Sequence, residues 1–549
     1  MARSWLLAAE ADKIQDFVFR SAHLAQVVGG STLLARFCEE DGEAILRSSG
    51  LRREVIVAGG GAFRLVLQSD DVAPVRAVGE DLVNRYAFLT GGSMSVAEPV
   101  DVDAAGGYAN AAKEAEGRLR QAKRAGGPRA LDLMPLAALC EDCGQAAAER
   151  LEPPRHVEER PRYLCGSCRT KRAERDQIQP RPRQYGRFLQ PVIDALAVHA
   201  PELAELGLRP PRDLNELSGL DPNGQVAFLV ADGNAMGAYF SRATSPEEAT
   251  ARSNQLTVAL QRAVAAMLSK LITADRAEHP DRALRLLPAI PLILAGDDTF
   301  LVLPARHALA AADVYAETFE LQLRGDQASG PTVAMSVVIA HPGYPYTLAH
   351  TRAESLLSSA KALSRDLMKQ QMAVSTLAFE RVLGAERPYG SEHVPARPEQ
   401  NGAHSARYHA GFQPYLAGSY ARELLHAEAT PLAGGATGGA LGARALHIQA
   451  LIAAHAQLRP PGLPGGRRQD LRRLYDHPDL GGDHWKAELE TLLQRLGRHE
   501  HQQMVVQQLL ERLGGPLEGY WRMRGSASGD LYHALPDAIE ALPFSEGFA

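Results

Sequence analysis

No hydrophobic run in the chain approaches the ~20 residues a helix needs to cross a bilayer. The N-terminal stretch MARSWLLAAEADK has too short an apolar run for a signal peptide and no cleavage-like site. These absences speak against an export or membrane design, so the cytoplasm is the expected setting and no membrane is expected as a partner. A strong charge of either sign is also missing. With 59 Lys and Arg against 65 Asp and Glu, the net charge is −6. That excludes whole-surface attraction to polyanions and leaves only local basic stretches for such a role. Cysteine is scarce: four of the five fall in two C-x-x-C pairs, which excludes a disulfide framework and points to a metal. What remains is an ordinary globular composition, 45% hydrophobic and 23% charged over 549 residues. That is enough for a sizeable core and roughly three to five domains.

The most informative pattern is an internal repeat in which one copy keeps its acids. The C-terminal copy reads PLILAGDDTFLVLP, with Asp297 and Asp298 at a predicted hairpin tip. The N-terminal copy reads VIVAGGGAFRLVL, with Gly60 and Gly61 where the aspartates would fall. Ser93–Val96 parallels Ala334–Val337, and Ala115–Lys123 (AEGRLRQAK) parallels Ala353–Lys361 (AESLLSSAK). Upstream, Ala9-Glu10 ends one apolar strand as Ala231-Asp232 ends another.

Periodicity places a strand at Trp5–Ala9, helical patterning over Lys13–Arg47, a hairpin about Gly59–Gly61, a helix at Val72–Phe88, a strand at Ser93–Glu98 and a helix from Gly107. The second copy repeats this with Val226–Ala231, Pro246–Ala274, Pro291–Leu303, His307–Leu323, Thr332–Ala340 and Thr347–Leu363. Both read β-α-β-β-α-β followed by α, the order of a split antiparallel sheet with helices on one face. The expected fold class is α+β with two ferredoxin-like palm domains. Residues 1–130 form the first, without catalytic aspartates; 131–180 a zinc-binding module; 181–220 a helical connector; 221–380 the second palm; and 400–549 a helical C-terminal domain. In that last part Arg444–Leu458, Asp483–Leu496 and His501–Leu513 carry helix-period apolar residues. Gly434–Gly442 and Arg459–Gly466 break them, and Ala385–Arg407 reads as a linker.

Asp232 closes an apolar strand, FLVAD, before a turn through Gly233-Asn234. In this topology the first strand lies beside the hairpin, so Asp232, Asp297 and Asp298 are expected within a few ångströms of one another. Such a cluster repels itself unless cations neutralise it. Mg²⁺ or Mn²⁺ prefers oxygen ligands. Two such ions about 3.5–4 Å apart suit phosphoryl transfer, activating a hydroxyl and stabilising pyrophosphate. Good turn chemistry is the plainer reading of Gly-Asp-Asp. Lys361 ends the last helix of the copy and could reach substrate phosphates, or be a solvated surface lysine.

In the other copy Gly59, Gly60 and Gly61 could bring backbone N–H groups to a phosphate or base, or form a plain turn. The same choice applies to Gly29-Gly30-Ser31 ahead of a helix at Thr32–Arg47. Cys140-x-x-Cys143 and Cys165-x-x-Cys168 make a four-thiolate set that reads as structural zinc, with iron–sulfur as the alternative. Cys38 reads as a buried core thiol. The basic stretch Arg169–Arg187 could meet an RNA backbone or be a solvated charged face.

IQDFVF and GGSTLLARF near the N-terminus, a four-cysteine module between two palm-like repeats, then DGNAMG, AGDDTF and AESLLSSAK together resemble the large polymerase-like subunit of type III CRISPR effector complexes. The resemblance covers roughly residues 1–380, and GGDEF-type cyclases are a more distant likeness. It implies conversion of ATP into cyclic oligoadenylate in a complex that holds guide RNA and target RNA. It implies Asp232, Asp297 and Asp298 as metal ligands and catalytic residues, and Lys361 as a triphosphate contact. Gly233, Gly296, Gly59, Gly60, Gly61 and Ser31 would lie against nucleotide. Asn234 and Ala295 depart from the family's Asp-Gly-Asp and Gly-Gly-Asp-Asp patterns, and both leave the aspartates in place. No His-Asp dipeptide occurs, so no HD nuclease activity is expected. A catalytically silent scaffold or RNA-binding subunit, and a stand-alone cyclic-nucleotide synthase, are the competing readings.

Overall fold

The computed structural model describes residues 2–548 except 22, 126–137, 155–159, 179–188, 281–285, 325–329, 383–407, 430–444, 460–462, 476–482, 497–499, 514–521 and 524–530. The expected linker at Ala385–Arg407 and the breaker Gly434–Gly442 lie outside the described residues.

The first sheet contains β1 (Arg3–Ala11), β2 (Arg52–Gly59), β3 (Ala62–Ser69) and β4 (Met94–Val96) in the order β2-β3-β1-β4, with β5 (Val100–Asp101) also on β1. All these pairings are antiparallel, which is the ferredoxin-like order. Alternation along β1 sends Leu7, Ala9 and Ala11 to one core and Leu6 and Ala8 to another. The helical patterning over Lys13–Arg47 resolves into helices Ile14–Phe19 and Leu24–Arg36, a π-helical turn Phe37–Asp41, and helix Gly42–Ser48. Helices Ala73–Thr90 and Tyr108–Ala125 complete the copy.

The cysteine module follows as a short antiparallel hairpin, β6 (Arg150–Glu152) and β7 (Arg162–Leu164), and a helix Gly166–Ile178. After connecting helices comes the second sheet: β8 (Val226–Asn234), β9 (Ile290–Ala295), β10 (Asp298–Pro304), β11 (Thr332–Ala340) and β12 (Ser375–Arg381). Strands β11-β8-β10-β9 repeat the first sheet's order, and β12 adds in parallel to β11. Residues after 407 are not wholly helical as expected. They supply β13 (Tyr408–Ala410), β14 (Tyr415–Ala417), β15 (Arg522–Met523) and β16 (Leu531–His533). Strand β14 pairs with β12 at the edge of the second sheet, and the other three form a small sheet. Strands of two or three residues are too short to show a period-2 pattern, which is why sequence reading misses them.

Strand β8 shows how the core is organised. Ala227, Leu229 and Ala231 face helices Pro246–Glu278 and Ala308–Arg324 and the C-terminal helices. Val226, Phe228 and Val230 face helix Tyr346–Lys369 and the first copy. IQDFVF carries the first copy into this second core. Phe17, Val18 and Phe19 are buried, with the Phe19 ring 4.9 Å from Phe300 and 4.4 Å from His350. The helix Pro246–Glu278 is long and apolar enough to cross a membrane by length and composition, and 61% of its most apolar window is buried inside the protein.

Glu320 ties the edge segment to the second sheet. Its carboxylate accepts from Ser375 Oγ at 2.6 Å, Ser419 Oγ at 2.9 Å and the Tyr420 amide at 3.0 Å. Burial outweighs these bonds and pushes the carboxyl up to about 7. A carboxyl whose folded pKa is raised binds more protons folded than unfolded, so stability falls as pH rises from about 4.5 through 7. Glu320→Gln is therefore expected to flatten that decline, which melting temperatures at pH 5, 6, 7 and 8 would register.

Candidate active site

The two hairpins have the same two-residue loop but different turns. Gly60 and Gly61 both adopt positive φ, 58° and 79°, the signature of a type I′ turn. In the second copy only Gly296, at 63°, does so, and Asp297 follows it, as in type II′. Strand pairing closes the loops at Gly59–Ala62 and at Ala295–Asp298. The structural counterparts of Asp297 and Asp298 are thus Gly61 and Ala62, one residue later than the sequence match placed them. Each hairpin contains a bulge, at Val55/Val57 and Phe300/Leu301. A bulge lets residue spacing and strand register disagree.

Asp232 does not end its strand; β8 runs on through Gly233 and Asn234, paired with β11. With Thr299 opposite Ala231, Asp298 and Asp232 fall on the same face, the one turned to the first copy. Asp297 sits beside Gly233 on the other face, its Cβ 2.9 Å from where a Gly233 Cβ would stand. Strand alternation therefore splits the expected trio two and one. Among the described residues, only the four cysteines gather three or more ligand atoms within 4.8 Å. Lys361 is not at a helix end. It lies within Tyr346–Lys369 and donates to Asp232 Oδ2. Asn234 spends its amide on Thr332 Oγ1 at 3.0 Å.

Asp232 and Asp298 open onto a cavity of about 290 Å³ closed by both copies. Its walls include Gly59, Gly60, Ser31 and Gln15 from the first copy and Gly296, His350 and Glu354 from the second. The protein around Asp298, then the charges of Asp297 and Asp232, push its carboxyl up to about 8, although it stays solvent-accessible at the cavity mouth. Burial and the Asp232 charge push Asp297 up to about 6. Oxygen donors that resist ionising together fit a divalent cation, which would relieve the repulsion.

The other expected contacts divide. Gly59, Gly60 and Gly296 line the cavity. Gly61 spends its N–H on Cys38 Sγ at 3.3 Å, and Gly233 faces away toward Asp297. Ser31 lines the cavity, yet its hydroxyl donates to the Leu292 carbonyl. It sits inside helix Leu24–Arg36, so no helix N-terminus is offered there. Gly30 is explained by packing instead, since a Cβ would stand 3.1 Å from Lys171 Cε.

Gly233→Ala is expected to displace Asp297, because the new Cβ would also lie 2.8 Å from Met236 Cγ. Such overpacking costs about 1–3 kcal/mol, and melting with and without Mn²⁺ would show reduced stability and a lost metal response.

Sequence reasoning missed Gln15, His350 and Glu354. Gln15 Nε2 donates to Glu354 Oε1 at 3.3 Å across the two copies. Burial pushes the His350 imidazole down to about 4. Glu354 was visible in AESLLSSAK, seven residues before Lys361 and so on the same helix face.

The four cysteines are free, and Cys143 Sγ lies 3.9 Å from Cys165 Sγ. A tetrahedral zinc with Zn–S near 2.3 Å requires sulfurs about 3.8 Å apart, so the set fits zinc. Of the basic stretch Arg169–Arg187, only the side chains of residues 169–174 lie within the described residues, and there the charged ones pack inward or pair. Lys171 and Arg172 are buried, Arg169 pairs with Glu152, and Arg36 pairs with Glu174.

Residues 225–369 match the Cas10/Cmr2 second palm domain family. The second copy thus carries a domain of the Cas10/Cmr2 second-palm type, and the match covers about a quarter of the chain. In fold it is similar to Csm1 of T. onnurineus, at 15% identity and a TM-score of 0.50, with 98% of this chain and 70% of that one covered. A Csm1–Csm4 cassette in complex with pppApApA gives 15% identity and a TM-score of 0.51 over 99% and 69%. Against a Csm1–Csm4 cassette in complex with cA4 the values are 16% and 0.44, with 71% of this chain covered, and this chain spans 56% of that chain's length. No curated protein matches the chain. Within the palm family match lie Asp232, Asp297, Asp298, Glu354 and Lys361.

Proposed function

We propose that this chain is a metal-dependent nucleotidyltransferase that converts ATP into oligoadenylate, linear or cyclic, as the palm subunit of a type III CRISPR effector complex. One observation carries the reading: Asp232 and Asp298 stand on the wall of a single cavity that both copies close. The palm family and the fold likeness to a cassette holding pppApApA support it. Asp232 and Asp298 would hold Mg²⁺ or Mn²⁺ at the cavity wall, with the charge of Asp297 behind them. When bound, such ions supply Lewis-acid activation of a ribose hydroxyl and charge neutralisation of the leaving pyrophosphate.

The chain's own residues do the rest. Gly59, Gly60 and Gly296 leave the cavity wall without side chains, which gives a nucleotide close access to backbone. Apolar walls from Leu34, Ile293 and Leu357 shed water around a base. Lys361 offers a positive charge to the triphosphate. The bond formed joins the ribose oxygen to the α-phosphorus; the bond broken releases pyrophosphate, and the hydroxyl proton leaves to solvent or to a cavity carboxylate. The four cysteines would hold structural zinc. Partner subunits of the complex, with guide RNA and target RNA, would regulate the reaction in the cytoplasm.

The test is incubation with ATP and Mg²⁺ or Mn²⁺, with and without co-purified partners and target RNA, and product identification by mass spectrometry. Oligoadenylate is expected. No product from any nucleoside triphosphate with the RNA-loaded complex present would leave the silent scaffold as the function.

A further inference from the structure

Both copies carry the same ion pair at the same place. In the second, Lys361 of the last helix donates to Asp232 of the first strand. In the first, Lys123 Nζ donates to Glu10 Oε1 at 2.6 Å, again from last helix to first strand. The first copy has Gly61 and Ala62 in place of the aspartate pair. Its ion pair therefore forms without an aspartate pair in its own sheet. The pair is a property of the repeated fold, and the second copy has inherited it at a carboxylate that also belongs to the cavity.

We infer that Lys361 is a tethered counter-cation that occupies Asp232 in the metal-free protein and must release it before a divalent ion can use that carboxylate. This rests on the metal-site reading above. It gives Lys361 a positioning role distinct from a simple phosphate contact. Asp297, Asp298 and Glu354 all feel its charge, so its displacement changes the field over the whole site. A lysine suits the task because its compact ammonium rides on a flexible four-carbon stem.

The two roles predict opposite results in the absence of nucleotide. A counter-cation competes with metal, so Lys361→Met is expected to bind Mn²⁺ more tightly than the parent, by at least ~5-fold. A phosphate contact would leave metal-only affinity unchanged. Mn²⁺ binding by electron paramagnetic resonance on the full chain, without nucleotide, separates them. Lys361→Arg keeps the charge and is expected to retain parental affinity or bind less tightly. Lys123→Met breaks the equivalent pair at Glu10, which is no part of the aspartate set although its charge reaches Asp297, and is expected to change Mn²⁺ affinity less than Lys361→Met does. Unchanged or weaker Mn²⁺ binding by Lys361→Met, with parental binding intact, overturns the inference alone. Absence of saturable Mn²⁺ binding in every protein overturns the metal-site reading and the inference with it.

Discussion

The double variant Asp297→Asn/Asp298→Asn is expected to melt higher than the parent in metal-free buffer at pH 8, to gain nothing from Mn²⁺, and to make no oligoadenylate. Two carboxyls are held above their ordinary range, at about 6 and about 8. A raised folded-state pKa means that the metal-free protein binds more protons than its unfolded chain between about pH 4 and pH 8, so ionisation costs stability as pH climbs. Asn removes that cost while nearly preserving shape. Asp297 should contribute more of the gain, because Asp298 is open to water and its repulsion is screened. The same substitution removes the cavity ligand Asp298 and the charge of Asp297 behind it, and a product loss on the order of 10³-fold or more is expected from such electrostatic groups. Melting curves from pH 5 to pH 8, with and without Mn²⁺, read the first part; mass spectrometry reads the second. A variant less stable than the parent at pH 8 would mean that the aspartates serve the turn and not a cation.

Removing the four-cysteine site is expected to disable the cavity from a distance. Asp142, between two of the cysteines, is almost fully buried and accepts from Gln26 and from Arg162 at 3.0 Å. Lys171, three residues past Cys168, donates to the Phe17 carbonyl and lies 4.0 Å from the Phe17 ring. Glu174 holds Arg36. These ties run from the module to helices Ile14–Phe19 and Leu24–Arg36, which supply Gln15, Val18, Ser31 and Leu34 to the cavity wall. Structural zinc in small modules contributes about 10–16 kcal/mol of apparent binding energy at neutral pH, and that energy is folding energy. Cys143→Ser/Cys168→Ser, or chelation, should therefore raise amide exchange in both helices by 10-fold or more. Helix Gln449–Leu458, remote from the module, should be unaffected. Equal exchange everywhere would show the module to be independent of the cavity.

Much of this arrangement is legible in the residues. The parallel between AEGRLRQAK and AESLLSSAK leads to Lys123 and Lys361, and the ion pair that both make is visible only in the structure. The hairpin tips are found, but with a register error of one residue, because a shared string of glycines aligns more readily than two bulged strands. The split of the aspartates between two faces is a consequence of pleating, which depends on where a strand ends, and the sequence places that end at Asp232 two residues early. Gly29-Gly30-Ser31 misleads for a different reason. Glycine before a helical pattern is read as a loop, whereas here it makes room for a lysine from another segment. The first turns of the basic helix show the same limit: composition counts their charges, and only tertiary packing says which carboxylates meet them.

Strand β14 has a consequence for how the protein is made. The sheet that Val226 opens is completed at its β12 edge by Tyr415–Ala417, and the apolar face beneath it includes Leu509, Leu535 and Phe544. A nascent chain that has emerged only as far as Arg381 therefore presents β12 with one edge unpaired and an apolar flank uncovered, a template for pairing with its neighbours on the same polysome. The part of the chain after Arg381 thus governs whether the part before it stays soluble during synthesis, and truncated transcripts or premature stops should yield aggregate in place of a smaller palm.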